Sequence, residues 1–266
     1  MSDAFDPKEY WEKRLSGNYD LHGVGLIEWG EGFNRWLYRV RRHSFLKTVR
    51  SMQKSWQDAH VLDVGSGTGF YLERWQELGA KEICGMDLTE VAVKQLQTKF
   101  PDVVIHQGDI GAETAPDLDA DFDAISCMDV LFHIVDDEHY THAFANISAM
   151  LKKDGLFIFS DSWLKGDDVH GVHIVHRSRV HVQEALKQAG FEVVDVYPMF
   201  VLLNAPVDSH NPLLRFWWWG LYQIAARYHR VGGLLAAAIY PLERLLLSMG
   251  RHDGPTTKVI VCRKVN

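Results

Sequence analysis

At 266 residues with 47% apolar and 24% charged side chains, the chain has the balance of a soluble globular protein, enough for one α/β domain with elaborations, and bulk disorder is excluded. A formal charge of −7 argues against a dedicated nucleic-acid binder and favours small-molecule or protein partners. Cys84, Cys127 and Cys262 are far apart and odd in number, which supports neither a disulfide framework nor a CxxC metal site.

The opening MSDAFDPKEYW places acids where a secretory signal is basic and then apolar, so the expected location is the cytoplasm. Residues 1–55 read as a helical N-terminal cap, helical from residue 7, that packs on the core. Within it, EYWEKRL sets Tyr10 and Trp11 beside Arg14, and Arg35, Arg39, Arg41, Arg42, Lys47 and Arg50 follow with no acid among them. Such a run usually marks a solvated helix face; anion binding or a membrane surface is the minority reading.

From His60 onward, short apolar runs alternate with helical stretches, as a doubly wound parallel sheet requires. Strands are expected at 60–64, 82–87, 103–107, 122–128, 155–161, 192–198 and 257–263, with helices at 68–78, 89–99, 137–151 and 178–189. The first strand runs into Gly65, Ser66, Gly67, Thr68 and Gly69, a GxGxG loop entering a helix. Glycines there permit a tight turn and close ligand approach, and the helix start offers free amides. The second strand ends in Asp87, near the offset at which a nucleotide-binding sheet places a carboxylate on ribose hydroxyls. After the third strand, Asp109 can accept from an adenine amino group, and Ile110 can cover the ring.

These motifs resemble the class I S-adenosylmethionine-dependent methyltransferases: VLDVGSGTGF their first motif, GMDLTE the second-strand end, QGDI the adenine side, FDAISCMDVLFHIVD the fourth-strand segment and LKKDGLFIFSD the fifth. The resemblance covers roughly residues 55–198, with TKVIVCRK fitting the family's final antiparallel strand. It implies a Rossmann-like α/β fold: a seven-stranded doubly wound sheet, last strand antiparallel, with a helical prefix and a helical insertion before that strand. The S-adenosylmethionine-binding core would be residues 56–205 and 251–266, and the apolar insertion residues 206–250. By the same resemblance, Asp63, Gly65, Ser66, Gly67, Thr68, Gly69 and Phe70 line the methionine part of S-adenosylmethionine. Asp87 and Leu88 hold the ribose, Asp109 and Ile110 the adenine, and Met128 or Asp129 the edge facing the sulfonium, with Trp11, Tyr10 and Arg14 near the cofactor's carboxylate end.

Beyond the fourth strand, His133 is expected to shape the cofactor pocket or to touch the acceptor. VHGVHIVHRS spaces His170, His173 and His176 by three in an expected loop after the fifth strand, on the carboxyl-end rim where such sheets bind ligands. Methyl transfer needs a base only when the acceptor must shed a proton, and histidine suits neutral pH, so a base is sought among these three, His173 first. Asp161, Asp167 and Asp168 lie nearby, yet no established ligand pattern appears and no metal is expected.

The insertion places Arg215, Gln223, Arg227 and Arg230 on one helical stripe, with Phe216, Trp217, Trp218, Leu221 and Ile224 crowding the rest. Pro241 is expected to bend or end a helix, and no apolar stretch reads as long enough to span a bilayer. The apolar face must be buried, as a lid over the acceptor pocket, in a homodimer, or against a lipid surface. The expected function is O-methylation of a hydrophobic or aromatic small molecule. N- or C-methylation, a lipid-linked acceptor and a non-catalytic S-adenosylmethionine-binding scaffold stand as alternatives, and GxGxG with QGDI disfavours a nicotinamide dehydrogenase.

Overall fold

The computed structural model describes residues 5–114, 116, 118, 121–249 and 254–265, so the outermost ends of the cap and of the chain, and residues 250–253, lie outside it. The expected alternation is present: β1 (His60–Val64), β2 (Glu82–Asp87), β3 (Val104–Gln107), β4 (Phe122–Cys127), β5 (Leu151–Asp161), β8 (Phe191–Pro198) and β9 (Lys258–Lys264) form one sheet in the order β3-β2-β1-β4-β5-β9-β8. β9 runs antiparallel to both β5 and β8, and the strands from β1 to β5 pair in parallel. Asp63 pairs across with Gly85 and with Ser126, which brings the ends of β1, β2 and β4 to one rim.

Strand periodicity divides the core. Ala124, Leu156, Ile158, Val259 and Val261 face one side, with Phe45 and Trp75. Ile125, Phe157, Phe159, Ile260 and Cys262 face the other, with Tyr140 and Phe144. Each such large side chain, fully buried, contributes roughly 1.5 to 3 kcal/mol. α2 (Gly30–Ser51) and α3 (Phe70–Leu78) cover the first side; α5 (Asp137–Met150) and α6 (Arg179–Gln188) cover the second. Polar side chains start the helices: Asp6 caps α1 (Pro7–Gly17), Thr89 caps α4 (Glu90–Lys99), and Asp136 and Ser178 cap α5 and α6.

Three expectations change. The histidine run is not a plain loop: β6 (Val169–His170) and β7 (Val175–His176) pair as a small antiparallel hairpin. In the basic run, Arg41 is not solvated but buried against Asp129, because α2 lies across the sheet rim and that turn faces inward. The insertion is two helices, α7 (Pro212–Ala225) and α8 (His229–Ser248), so the Arg215-to-Arg230 stripe is broken at residues 226–228.

α8 continues through Pro241, which lies exposed on its outer side, and it is long and apolar enough by length and composition to cross a membrane. It lies along α2, where Gly233 crosses Gly32 so closely that a Cβ on Gly233 would come within 3.2 Å of the Gly32 backbone. Glu243 is fully buried and accepts the Val201 and Leu202 amides at 2.6 and 2.7 Å. Within the single chain only the inner sides of α7 and α8 pack on the protein, and Leu213, Phe216, Trp219, Leu234, Leu245 and Met249 are exposed.

Candidate cofactor and acceptor site

The glycine loop is held by the end of β2. Met86 O accepts from Gly65 N and Ser66 N at 2.8 and 3.0 Å. Asp87 Oδ2 accepts from Gly67 N at 2.8 Å, while its Oδ1 accepts from Thr89 N and Thr89 Oγ1. Gly69 sits at φ 81°, and a Cβ there would come within 2.2 Å of the Phe100 ring, so glycine is required both by backbone and by space. Asp87 therefore has two tasks: it shapes the loop and it faces the space the loop encloses. Burial pushes its carboxyl above the ordinary aspartate range, opposed by the hydrogen bonds from Thr89 and Gly67.

That space is a cavity of about 860 Å³ along the carboxyl ends of the parallel strands. Gly65, Ser66, Gly67, Thr68 and Phe70 line it on one side, Asp87 and Leu88 in the middle, Asp109 and Ile110 at the far end, and Met128 and Asp129 along the β4 rim. Four residues expected at the cofactor are absent from the lining: Gly69, Asp63, Tyr10 and Arg14. Gly69 is spent on the turn. The Asp63 carboxyl is buried below the loop, where Ser126 Oγ donates to it at 2.6 Å and in turn accepts from Trp75 Nε1. Burial raises the Asp63 carboxyl to about 7, and its Oδ2 has no partner among the described residues.

α1 closes the cavity, contributing Trp11 and Leu15 to its wall, with Phe5 just before the helix. It is anchored by Glu12, whose carboxylate accepts from Glu90 N and Val91 N at the start of α4, where unpaired amides favour an anion. Arg14 is not free for a cofactor carboxylate: it donates to Gly23 O at 2.6 Å and to Gly25 O at 2.5 Å, and lies over the Trp11 ring. Asn146 on α5 pins the adenine-side loop by donating to Ile110 O and Ala112 O. Glu12 and Asn146 were not singled out from sequence, because each acts on backbone more than 30 residues away and no local pattern marks it.

At the β4 rim, Asp129 takes φ 61°, and Arg41 Nε donates to its Oδ2 at 2.7 Å. The Arg41 guanidinium also lies over the Tyr38 and Phe200 rings. Tyr38 and Tyr71 join the cavity wall there. Among the described residues, the buried Thr68 Oγ1 and Tyr71 OH have no hydrogen-bond partner. A buried hydroxyl left so costs ~1 to 3 kcal/mol, which a polar ligand in the cavity would recover.

Of the four histidines considered, His133 lines the cavity. Its Nδ1 donates to His173 O at 2.9 Å, which leaves Nε2 as the unprotonated nitrogen, and burial pushes it down to about 4 despite that bond. The His173 ring stacks on Tyr10 and lies parallel to His133 at 6.2 Å, behind the wall rather than in it. His176 Nδ1 meets Ser162 Oγ at 2.7 Å, and His170 is exposed on the hairpin. Asp161 accepts from Tyr140 OH and Ser162 N, and Asp168 from Ser178 N and His181, so these carboxylates are already engaged. No group of three or more metal-ligating side chains gathers among the described residues. Residues 206–249 contribute nothing to the cavity lining.

The cavity suits S-adenosylmethionine in volume, within the roughly 300 to 1,000 Å³ of cofactor pockets. It suits it also in its polar groups, with carboxylates at two stations and the unpaired Thr68 Oγ1 and Tyr71 OH.

Residues 61–155 match the family model described as "Methyltransferase domain". A tRNA U34 carboxymethyltransferase from Colwellia psychrerythraea is 28% identical over 162 residues, 59% of this chain and 45% of that protein. A ubiquinone biosynthesis O-methyltransferase from Azoarcus sp. strain BH72 is 30% identical over 140 residues, 48% of this chain and 57% of that protein. The chain thus spans about half the length of these curated relatives. Magnesium protoporphyrin IX methyltransferase from Synechocystis PCC 6803, solved with bound S-adenosylmethionine, superposes with a TM-score of 0.59 over 99% of this chain and all of that one, at 13% identity, which establishes a shared fold.

Proposed function

We propose that the chain is a class I S-adenosylmethionine-dependent methyltransferase that transfers a methyl group to an oxygen of a hydrophobic or aromatic small molecule, a reading supported by the match of residues 61–155 to a methyltransferase domain and by the shared fold. The observation that carries this reading is the cavity itself. Its lining combines polar stations at Asp87, Asp109 and Asp129 with the aromatic side chains of Trp11, Tyr38 and Tyr71 and the neutral imidazole of His133. S-adenosylmethionine supplies an electrophilic methyl on a sulfonium that becomes a neutral thioether. The protein's part is to hold the acceptor oxygen in line with that methyl and to take up its proton. His133 supports that last role, since its Nδ1–H is committed to His173 O and its Nε2 is the basic nitrogen. Tyr71 OH, unpartnered at the same wall, supports orientation of a polar acceptor group.

The 30% identity to an O-methyltransferase of ubiquinone biosynthesis favours oxygen, and the acidic balance of the chain favours a small acceptor over RNA. The test is a mass-spectrometric search of cell extract, with protein and S-adenosylmethionine added, for a compound gaining one methyl. The expected product is a methyl ether or ester of an apolar compound. A methyl on nitrogen or carbon would replace the proposed chemistry with one of its alternatives. Cofactor binding by calorimetry without any methylated product would leave the scaffold reading.

A further inference from the structure

α7 and α8 invert the usual surface helix. The residues of α8 turned to solvent include Val231, Leu234, Leu242 and Leu245, with Met249 just beyond, spaced as one helical face, while its carboxylate, Glu243, is buried. α7 adds Leu213, Phe216, Trp217 and Trp219, with the Phe216 and Trp219 rings stacked at 5.7 Å. With Leu213 78% and Leu234 72% exposed, these side chains recur at helical spacing on α7 and on α8, an apolar face on each helix rather than isolated exposures.

The charge around that face is one-sided. Residues 209–249 hold four Arg and a single carboxylate, the buried Glu243, while the exposed carboxylates nearest to them, Glu28 and Glu31, sit around the start of α2 and Glu28 is bonded to Tyr222. Arg215, Arg227, Arg230 and Arg244 on the insertion are exposed, as are Arg35, Arg39 and Arg50 on the neighbouring α2. A protein of net charge −7 has thus gathered exposed arginines, tryptophans and leucines on α7, α8 and the adjoining side of α2. A second copy would fit poorly there, because a two-fold contact sets the face on itself, arginine against arginine, with no exposed carboxylate from residues 209–249 to pair them.

We propose that the α7–α8 face docks the chain onto an anionic lipid surface. The aromatic and aliphatic side chains enter at headgroup depth and the arginines meet phosphates. The helices lie on the surface rather than cross it: the Glu243 bonds to Val201 and Leu202 and the Gly233–Gly32 crossing keep α8 on the protein. The face also reaches toward the cavity. Trp218 stacks on Trp29 at 4.7 Å and Tyr222 OH donates to Glu28. The segment just before them carries Val24, in the cavity wall, and the Gly23 and Gly25 carbonyls held by Arg14. Docking therefore sets the segment beside the cavity close to the bilayer.

Flotation with vesicles tests this directly. The full chain should float with phosphatidylcholine–phosphatidylglycerol vesicles at low salt, and roughly tenfold less with phosphatidylcholine alone or in high salt. The double variant Phe216→Glu, Leu234→Glu should stop floating while its thermal midpoint and its calorimetric affinity for S-adenosylmethionine stay at wild-type values; Arg227→Gln with Arg230→Gln should weaken flotation. Three results overturn the proposal: no flotation at low salt, flotation unaffected by the double variant, or a sedimenting dimer that the double variant splits without vesicle binding. Cofactor affinity is read separately, so failure of docking leaves the methyl-transfer reading standing.

Discussion

Arg41 Nε stands 2.7 Å from Asp129 Oδ2, tying the middle of α2 to the residue that leaves β4 with φ 61°. The pair holds an unfavourable backbone conformation at the cavity rim, and Ser160 Oγ accepts the Asp129 amide at 2.7 Å beneath it.

Arg41→Met should therefore strand a largely desolvated carboxylate. With Asp129 about one-fifth exposed, the expected loss is about 2 to 4 kcal/mol, somewhat below the full cost of breaking a buried pair. Urea denaturation measures it. Adding Asp129→Asn should return most of the loss, and a double variant no more stable than the single one would show that the pair is not the cause.

Asp87→Ala removes the acceptor of Gly67 N and opens the middle of the cavity wall. S-adenosylmethionine affinity should fall at least tenfold, consistent with ~1.5 to 3 kcal/mol for a charge-assisted hydrogen bond. Calorimetry that found unchanged affinity would remove Asp87 from the site.

His133→Ala should lower turnover by roughly 10²-fold or more with cofactor affinity little changed, as loss of a general base requires. His170→Ala, on the exposed hairpin, should keep full activity. Because the folded imidazole titrates near 4 rather than near its ordinary value, the acid limb of kcat/KM should lie toward pH 4, not near 6.5. The same depression is a stability statement. The unfolded chain takes up this proton below about 6.5 and the folded chain only near 4, so the His133 contribution is full above 6.5 and is lost as pH falls through that window.

Asp63 runs the other way. Its folded carboxyl is raised to about 7, so between the ordinary aspartate range and pH 7 the folded state holds a proton that the unfolded state has released. Stability from this group is present at low pH and declines as pH rises toward 7, above which the buried anion is fully penalised. Asp63→Asn, still able to meet Ser126, should therefore gain in thermal midpoint over the parent at pH 8 and gain least at pH 4 to 5. An equal difference at both pH values would contradict this account.

The sheet and much of the cavity wall were legible in the sequence because both are local. Runs such as HVLDV and GLFIFSD are strands by their own composition, and Gly65 to Thr68, Asp87 and Ile110 sit at strand ends that any doubly wound sheet brings together. What stayed hidden depends on contacts between distant segments. Arg41 reads as one more cation in a basic helix until Asp129, 88 residues on, is placed beside it. His133 and His173 lie 40 residues apart, and only the fold shows that one lines the cavity while the other backs it. Helical periodicity in the insertion showed an apolar side, yet it could not show that part of that side faces solvent.

The crossing of Gly32 and Gly233 joins two regions that chemistry alone would keep apart. α2 carries Tyr38 to the cavity wall and Arg41 to Asp129, and its distance from α8 is set by two positions with no side chain at all. A methyl group at Gly233 would press on the Gly32 backbone and push α2 by a few tenths of an ångström, moving the rim of the cavity without touching it, whereas one at Gly32 would meet Gly233 Cα in ordinary contact. Gly233 is thus the spacer between the insertion and the cavity wall, set by a residue that never reaches the cavity.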